Sequence, residues 1–146
     1  MKRILFLVSS LFLLTACKST LPPESSYTAY DILFGRDYDG ASFQFFEMIT
    51  EESEYQMLLK DPIISPYLKP NDIQDNNFIL VNLGEKPTGG WSIKVEKVKI
   101  LKDKVEVVIR EIPPKGMATT AITTPNFVLK IKSKKPIDIQ IINPGK

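Results

Sequence analysis

FILVNLGEKPTGGWSIKVEKVKI, Phe78 to Ile100, decides how the rest of this chain is read. Phe78 to Leu83 is a near-continuous apolar strand that ends at Gly84. The stretch GEKPTGG then turns the backbone. Gly89 and Gly90 permit angles other residues avoid, and Pro87 stiffens the entry. Trp91 opens a long second strand with apolar residues at Trp91, Ile93 and Val95, then at Val98 and Ile100. Side chains alternate faces along a strand, so the change of parity calls for a β-bulge near Glu96-Lys97 or a strand break.

The same logic extends in both directions. Lys102-Asp103-Lys104 is a short turn into Val105–Ile112, which predicts a hairpin. Phe127–Ile131 and Ile137–Ile141 are two further alternating strands, separated by a lysine-rich turn and Pro136. Towards the N-terminus, Pro62 to Asn77 is a long connection punctuated by Pro66 and Pro70. Before it, Thr50 is the expected cap of a helix running to Leu59 or Lys60. Glu51, Glu52 and Glu54 complement the positive helix start, Tyr55, Leu58 and Leu59 form the apolar face, and Asp61-Pro62 stops it. Ser26–Gly35 and Ser42–Ile49 read as aromatic-rich strands with an Asp39-Gly40 turn signal between them. Asp37 and Asp39 faintly resemble a calcium loop, but no closing glutamate has the required spacing, so no metal is expected. The fold class that follows is α+β, predominantly antiparallel β (a small sandwich or a partly open barrel) with one short helix.

The ends of the chain carry a different signal. Met1-Lys2-Arg3 is basic, and Ile4 to Ala16 runs without a charge, which is a secretory signal peptide rather than a bilayer-spanning helix of ~20 residues. Leu14-Thr15-Ala16-Cys17 resembles a bacterial lipobox. The resemblance implies that the thiol of Cys17 receives diacylglycerol and that the chain is cut before it. It is the one cysteine among 146 residues, so no second thiol offers a disulfide. Several acyl chains anchor far more firmly than one. Lys18 to Ser26, with Pro22-Pro23, is an extended tether of at most ~3 Å per residue. The expected organisation is a signal peptide over 1–16, lipidated Cys17 and tether over 17–26, and a single β-rich domain over 27–146. Lys18 stands where aspartate is the inner-membrane retention signal. The expected location is therefore the periplasmic face of the outer membrane, or the outer leaflet of the cytoplasmic membrane in a Gram-positive host.

Net charge is +2, but it hides an asymmetry. Lys18 to Ile93 holds 5 basic and 12 acidic residues, whereas Lys94 to Lys146 holds 12 and 5. Opposite halves favour one domain whose segments pack on each other. A basic half can also signal nucleic acid or anionic lipid, but an exported domain is not expected to meet nucleic acid, and alternating lysines suit a solvated sheet face.

In detail, Gly84-Glu-Lys-Pro-Thr-Gly-Gly-Trp-Ser-Ile93, the strand through Ile112, Pro113-Pro114-Lys115-Gly116 and Thr123-Thr-Pro-Asn-Phe-Val-Leu-Lys-Ile131 resemble, in this order, the PrcB family of bacterial lipoproteins. The resemblance spans about 75–131. One departure is visible: Asn126 stands where the family usually has an aromatic, with Phe127 one step later. The resemblance implies a non-catalytic accessory domain, since the founding member associates with a secreted subtilisin-like protease and supports its assembly. Pro87-Thr88-Gly89-Gly90-Trp91 also looks like the loop of chagasin-type cysteine-protease inhibitors, with Thr123 to Phe127 as a companion loop. Pro87, Thr88, Gly89, Gly90 and Trp91 with Thr123, Thr124 and Pro125 are the candidate partner-binding loops. A purely structural role stands beside that reading, because Thr-Gly-Gly is an adequate turn and Trp91 an ordinary packing residue.

With no histidine anywhere, no His-based triad exists, Cys/His zinc sites are impossible, and the one thiol is assigned to lipid. No phosphate-cradling or dinucleotide fingerprint is present, so no cofactor and no small-molecule substrate are expected. Three roles remain: an accessory module for another exported protein, a protease inhibitor acting through Thr88 to Trp91, or a structural envelope lipoprotein.

Overall fold

Strand alternation sorts this chain into layers. The computed structural model describes residues 28–144; the expected signal peptide, Cys17 and the expected tether lie outside the described residues. The elements are β1 (Tyr30–Arg36), β2 (Gln44–Ile49), α1 (Glu52–Lys60), a 3-10 turn (Ser65–Tyr67), α2 (Asp72–Asp75), β3 (Asn77–Leu83), β4 (Ser92–Ile100), β5 (Val105–Ile112), β6 (Asn126–Ile131) and β7 (Ile137–Ile142). One sheet has the order β1-β6-β3-β2 and the other β4-β5-β7. They form a sandwich, not a closed barrel.

β3 is buried almost throughout because each of its faces meets a different layer. Phe78 joins Ile49, Tyr55, Leu58, Ile64, Leu68, Ile73 and Val128 beneath the helices. Ile79, Val81 and Leu83 pack with Val105, Val107, Ile109, Leu129 and Ile131 between the sheets. Tyr55 anchors the helical layer: its ring stacks on Phe78 at 4.8 Å, and its hydroxyl donates to the Lys69 carbonyl at 2.7 Å. Burial, and next the charge of Asp72, push this phenol up to about 12.

The parity change in β4 is a register shift against β5 between Val95 and Lys97, and the β4–β5 hairpin forms as expected. Other expectations need correction. β1 and β2 do not pair but occupy opposite edges of their sheet. Asp39 has φ 65, and the chain crosses from one edge to the other because buried side chains of β3 and β6 hold the connection. Thr50 is not the helix cap. Glu51 takes that position, and the Glu54 carboxylate accepts from the N–H groups of Thr50 (3.0 Å) and Glu51 (3.2 Å). The connection after α1 holds the 3-10 turn and a second helix, α2; at the start of the connection the Asp61 side chain accepts from the N–H groups of Ile63 and Ile64. β7 pairs parallel to β5, the one parallel contact between named strands.

β6 comes from the basic half yet lies between β1 and β3 of the acidic half. Lys130 pairs with Asp72 at 2.8 Å and Lys132 with Asp31 at 3.1 Å. The two halves are interleaved.

Candidate functional site

Along β5 the inward positions run Val105, Val107, Ile109 and then Glu111, a carboxylate only 3% exposed. Burying a lone carboxylate is costly, so it needs partners. Lys86, from the GEKPTGG turn, places Nζ 3.1 Å from both oxygens of Glu111. The Gln44 amide donates to the same carboxylate at 2.6 Å. The Lys86 ammonium also lies 4.7 Å from the centroid of the Trp91 ring, a cation–π contact. One buried acid thus gathers β2, the turn and the start of β4.

A second set of bonds ties the turn to the loop before β6. Lys86 and Thr123 exchange backbone hydrogen bonds at 2.8 and 3.0 Å. The Thr123 hydroxyl donates to the Thr88 carbonyl at 2.8 Å, and the Trp91 indole N–H donates to the Thr88 hydroxyl at 3.2 Å. Gly89 donates to the Thr119 carbonyl at 3.2 Å, and a Cβ on Gly89 would lie 2.4 Å from the Thr119 hydroxyl. Gly90 has φ 82, a conformation that other residues adopt only under strain.

The loop over 37–43 is attached to the same end. Thr124 donates to the Asp37 carbonyl at 2.8 Å, and Gly40 donates to the Thr124 hydroxyl at 3.0 Å. Asn82 and Asn126 are cross-strand neighbours and both are buried. The Asn82 side chain accepts from the Ala41 N–H and donates to the carbonyls of Ala41 and Phe43; the Asn126 amide donates to the Tyr38 carbonyl. This resolves the family departure at Asn126. Phe127 takes the inter-sheet face with Leu129 and Ile131, while Asn126 faces the helical side and holds a loop.

All eight sequence-predicted residues meet at this end. Pro87 and Gly90 are exposed; Thr88, Trp91 and Thr124 are half-buried; Gly89, Thr123 and Pro125 are buried, the last accepting from Leu83 N–H at 2.9 Å. The buried ones build the scaffold. Sequence reasoning missed Lys86, Glu111, Gln44 and Asn82, and singled out Asn126 only as a departure from the family pattern. Two of them carried a signal: Glu111 continues an apolar alternation, and Asn82 interrupts an apolar strand. The scaffold presents apolar tips among polar groups. Tyr38, Met117 and Ile122 are exposed, and Tyr38, Met117, Gly90 and Pro114 help to line a groove of about 430 Å³, which Asp37, Lys115 and Thr119 also line.

Asp39 pairs with Arg36 at 2.9 Å, and among the described residues no group of three acidic, His or Cys side chains is gathered. On the outer face of the three-stranded sheet, the Arg110 hydrogen bond holds the Glu96 carboxyl below its ordinary range, and the Lys97 hydrogen bond does the same for Glu106. These pairs sit in water, away from the loops. No helix among the described residues is long and apolar enough to cross a membrane.

Fold and site together define a β-sandwich module with one end built of mutually clamped loops whose polar groups are engaged in holding one another. Within it, residues 77–132 match the family described as PrcB C-terminal, and this segment is PrcB-like. The match contains β3 to β6 and therefore most of the clamp. Over 59 residues the chain is 37% identical to an uncharacterized protein of Methanocaldococcus jannaschii, covering 40% of this chain and 36% of that protein. The chain thus matches about a third of that relative's length. No solved structure matches.

Proposed function

We propose that this protein is a non-catalytic accessory module of the bacterial cell envelope, anchored through acylated Cys17, which presents its clamped loop end to another exported protein. The observation that carries the reading is the buried Lys86–Glu111 pair beneath the loops. It fixes the Gly-rich turn against β2 and β5, and the Thr123 bonds to Lys86 and Thr88 and the Asn82 and Asn126 bonds to the 37–43 loop keep the neighbouring loops in one arrangement with it. Little ordering entropy is then lost on binding. The apolar tips Tyr38, Met117 and Ile122 suit a protein surface, where burial of such side chains drives association. PrcB kinship of residues 77–132 supports a partner of the exported-protease kind. The lipobox resemblance at Leu14 to Cys17 supports the anchor and the envelope location.

The test is photo-crosslinking of the full chain in its native membrane, with the reactive group at Met117 and, as a control, at Lys99 on the opposite outer face. One dominant partner captured from Met117 and not from Lys99 is the expected result. Capture of nothing, or equal capture from both, contradicts the reading. Inhibition of a cysteine protease by the full chain, lost on Trp91→Ala, would favour the protease-inhibitor role of Thr88 to Trp91 instead.

A further inference from the structure

The sandwich has four sheet edges, and they are not alike. β1 carries a register shift between Ile32 and Phe34. β4 carries Lys94, Lys97 and Lys99 and its own shift after Val95. Bulges and lysines are the devices by which proteins keep edges from pairing with other chains. β2 and β7 have neither. β2 (QFFEMI) pairs with β3 over six residues without a break, and β7 (IDIQII) does the same with β5. Neither strand holds a lysine, arginine or proline.

These two unguarded edges run side by side. Gln44, at one end of β2, donates to Asn143 just past β7, and Met48, at the other end, shares a groove with Pro136 and Ile137. The sheets are also of unequal width. Phe46 and Met48 are opposite Val81 and Ile79, so they face the space between the sheets, yet they are 42% and 39% exposed. A fourth strand beside β7 would cover them. At the floor of the groove, about 360 Å³ in volume, lies Asn77, 1% exposed. Its amide donates to the Lys135 carbonyl at 3.0 Å, but Oδ1 has no hydrogen-bond partner among the described residues. A buried acceptor of this kind calls for a donor.

We infer that the β2–β7 edge is a second docking site, which takes one extended, uncharged segment of a partner polypeptide as a fourth strand beside β7. Alternate apolar side chains of that segment cover Phe46 and Met48, and a donor at its end satisfies Asn77 Oδ1. The chemistry follows from the groove, whose lining includes the apolar Met48, Pro136 and Ile137, with Phe46 two residues before Met48 on the same face of β2, and whose only charged lining residues, Lys134 and Glu51, oppose each other in sign. A second whole copy fits poorly, because a two-fold mate joined through β7 would bring its own β2 over the same ledge. This surface meets the clamp only at Gln44, which donates to both Glu111 and Asn143, and the groove lies at the other end of β2.

The probe is a fluorescent, end-blocked heptapeptide alternating threonine with valine, titrated into the full chain in detergent micelles, with hydrogen exchange read on β7. Saturable binding with slowed exchange over Ile137–Ile142 is expected. Phe46→Lys and Met48→Lys should each weaken binding at least about tenfold, as loss of a central apolar contact does, while circular dichroism stays unchanged. A peptide N-methylated at alternate residues should not bind. Absence of binding at millimolar peptide, binding indifferent to both lysine variants, or protection confined to the 84–91 loop would overturn the inference. So would a stable dimer of the chain that buries β7 in the absence of peptide.

Discussion

Glu111 and Glu106 lie on the same strand, five residues apart, and each meets a lysine. Glu111 points inward with Lys86 14% exposed against it, whereas Glu106 points outward to Lys97 and Lys104 in open water. The parity of one strand decides which pair shapes the protein. Inside, the charges cannot be satisfied by solvent, so geometry must satisfy them, and three segments are drawn together. Outside, water does most of that work, and the pair is one of many arrangements of nearly equal energy.

Substitutions separate the two pairs, and the inner one has the larger effect. Glu111→Ala leaves the Lys86 ammonium buried without its partner, and should destabilise the fold by about 3–5 kcal/mol in denaturant titrations. Replacing both, as Lys86→Met with Glu111→Leu, should recover most of that loss while loosening the loop end. Asn82→Ala strips partners from Ala41 and Phe43 and should cost about 1–3 kcal/mol, with new mobility confined to 37–43. Glu106→Ala should leave the denaturation midpoint nearly unchanged, and what small effect there is should shrink in high salt.

A pH titration sharpens the contrast from another side. Tyr55 in the helical layer has its pKa raised from 10.0 to about 12. A raised phenol holds its proton more tightly in the folded state. Its contribution is therefore complete below about pH 10 and is lost as pH rises towards 12. Tyr55→Phe should flatten the stability curve across that window. Glu96 and Glu106 act at the opposite end, since lowered carboxyl values lose their contribution as pH falls through the folded value. Both are solvent-exposed, so acid unfolding should barely respond to their removal.

Much of the fold was legible because half-buried strands write their environment into alternation. β5 begins and ends where its pattern does, and the bulge in β4 was visible as a slip from Val95 to Val98. Pairings between distant strands were not legible. Nothing local in Tyr30–Arg36 and Gln44–Ile49 tells that they lie at opposite edges, because their neighbours are chosen by β3 and β6. The parallel contact of β7 with β5 is equally non-local. The candidate loops were found through Pro87 to Trp91, yet the residues that hold them were overlooked. Lys86 reads as a solvated lysine until Glu111, 25 positions later, is known to face inward. Burial of a charge is a property of the pair, and neither residue alone announces it.

The claim beneath all of this is that the Gly-rich turn and the 113–125 loop form one rigid unit. Amide hydrogen exchange measures it directly at Lys86, Gly89 and Thr123, whose N–H groups donate across the two loops at 2.8, 3.2 and 3.0 Å. Protection of these three approaching that of the β5 interior is the predicted result. Exchange as fast as that of the exposed Met117 amide would contradict it.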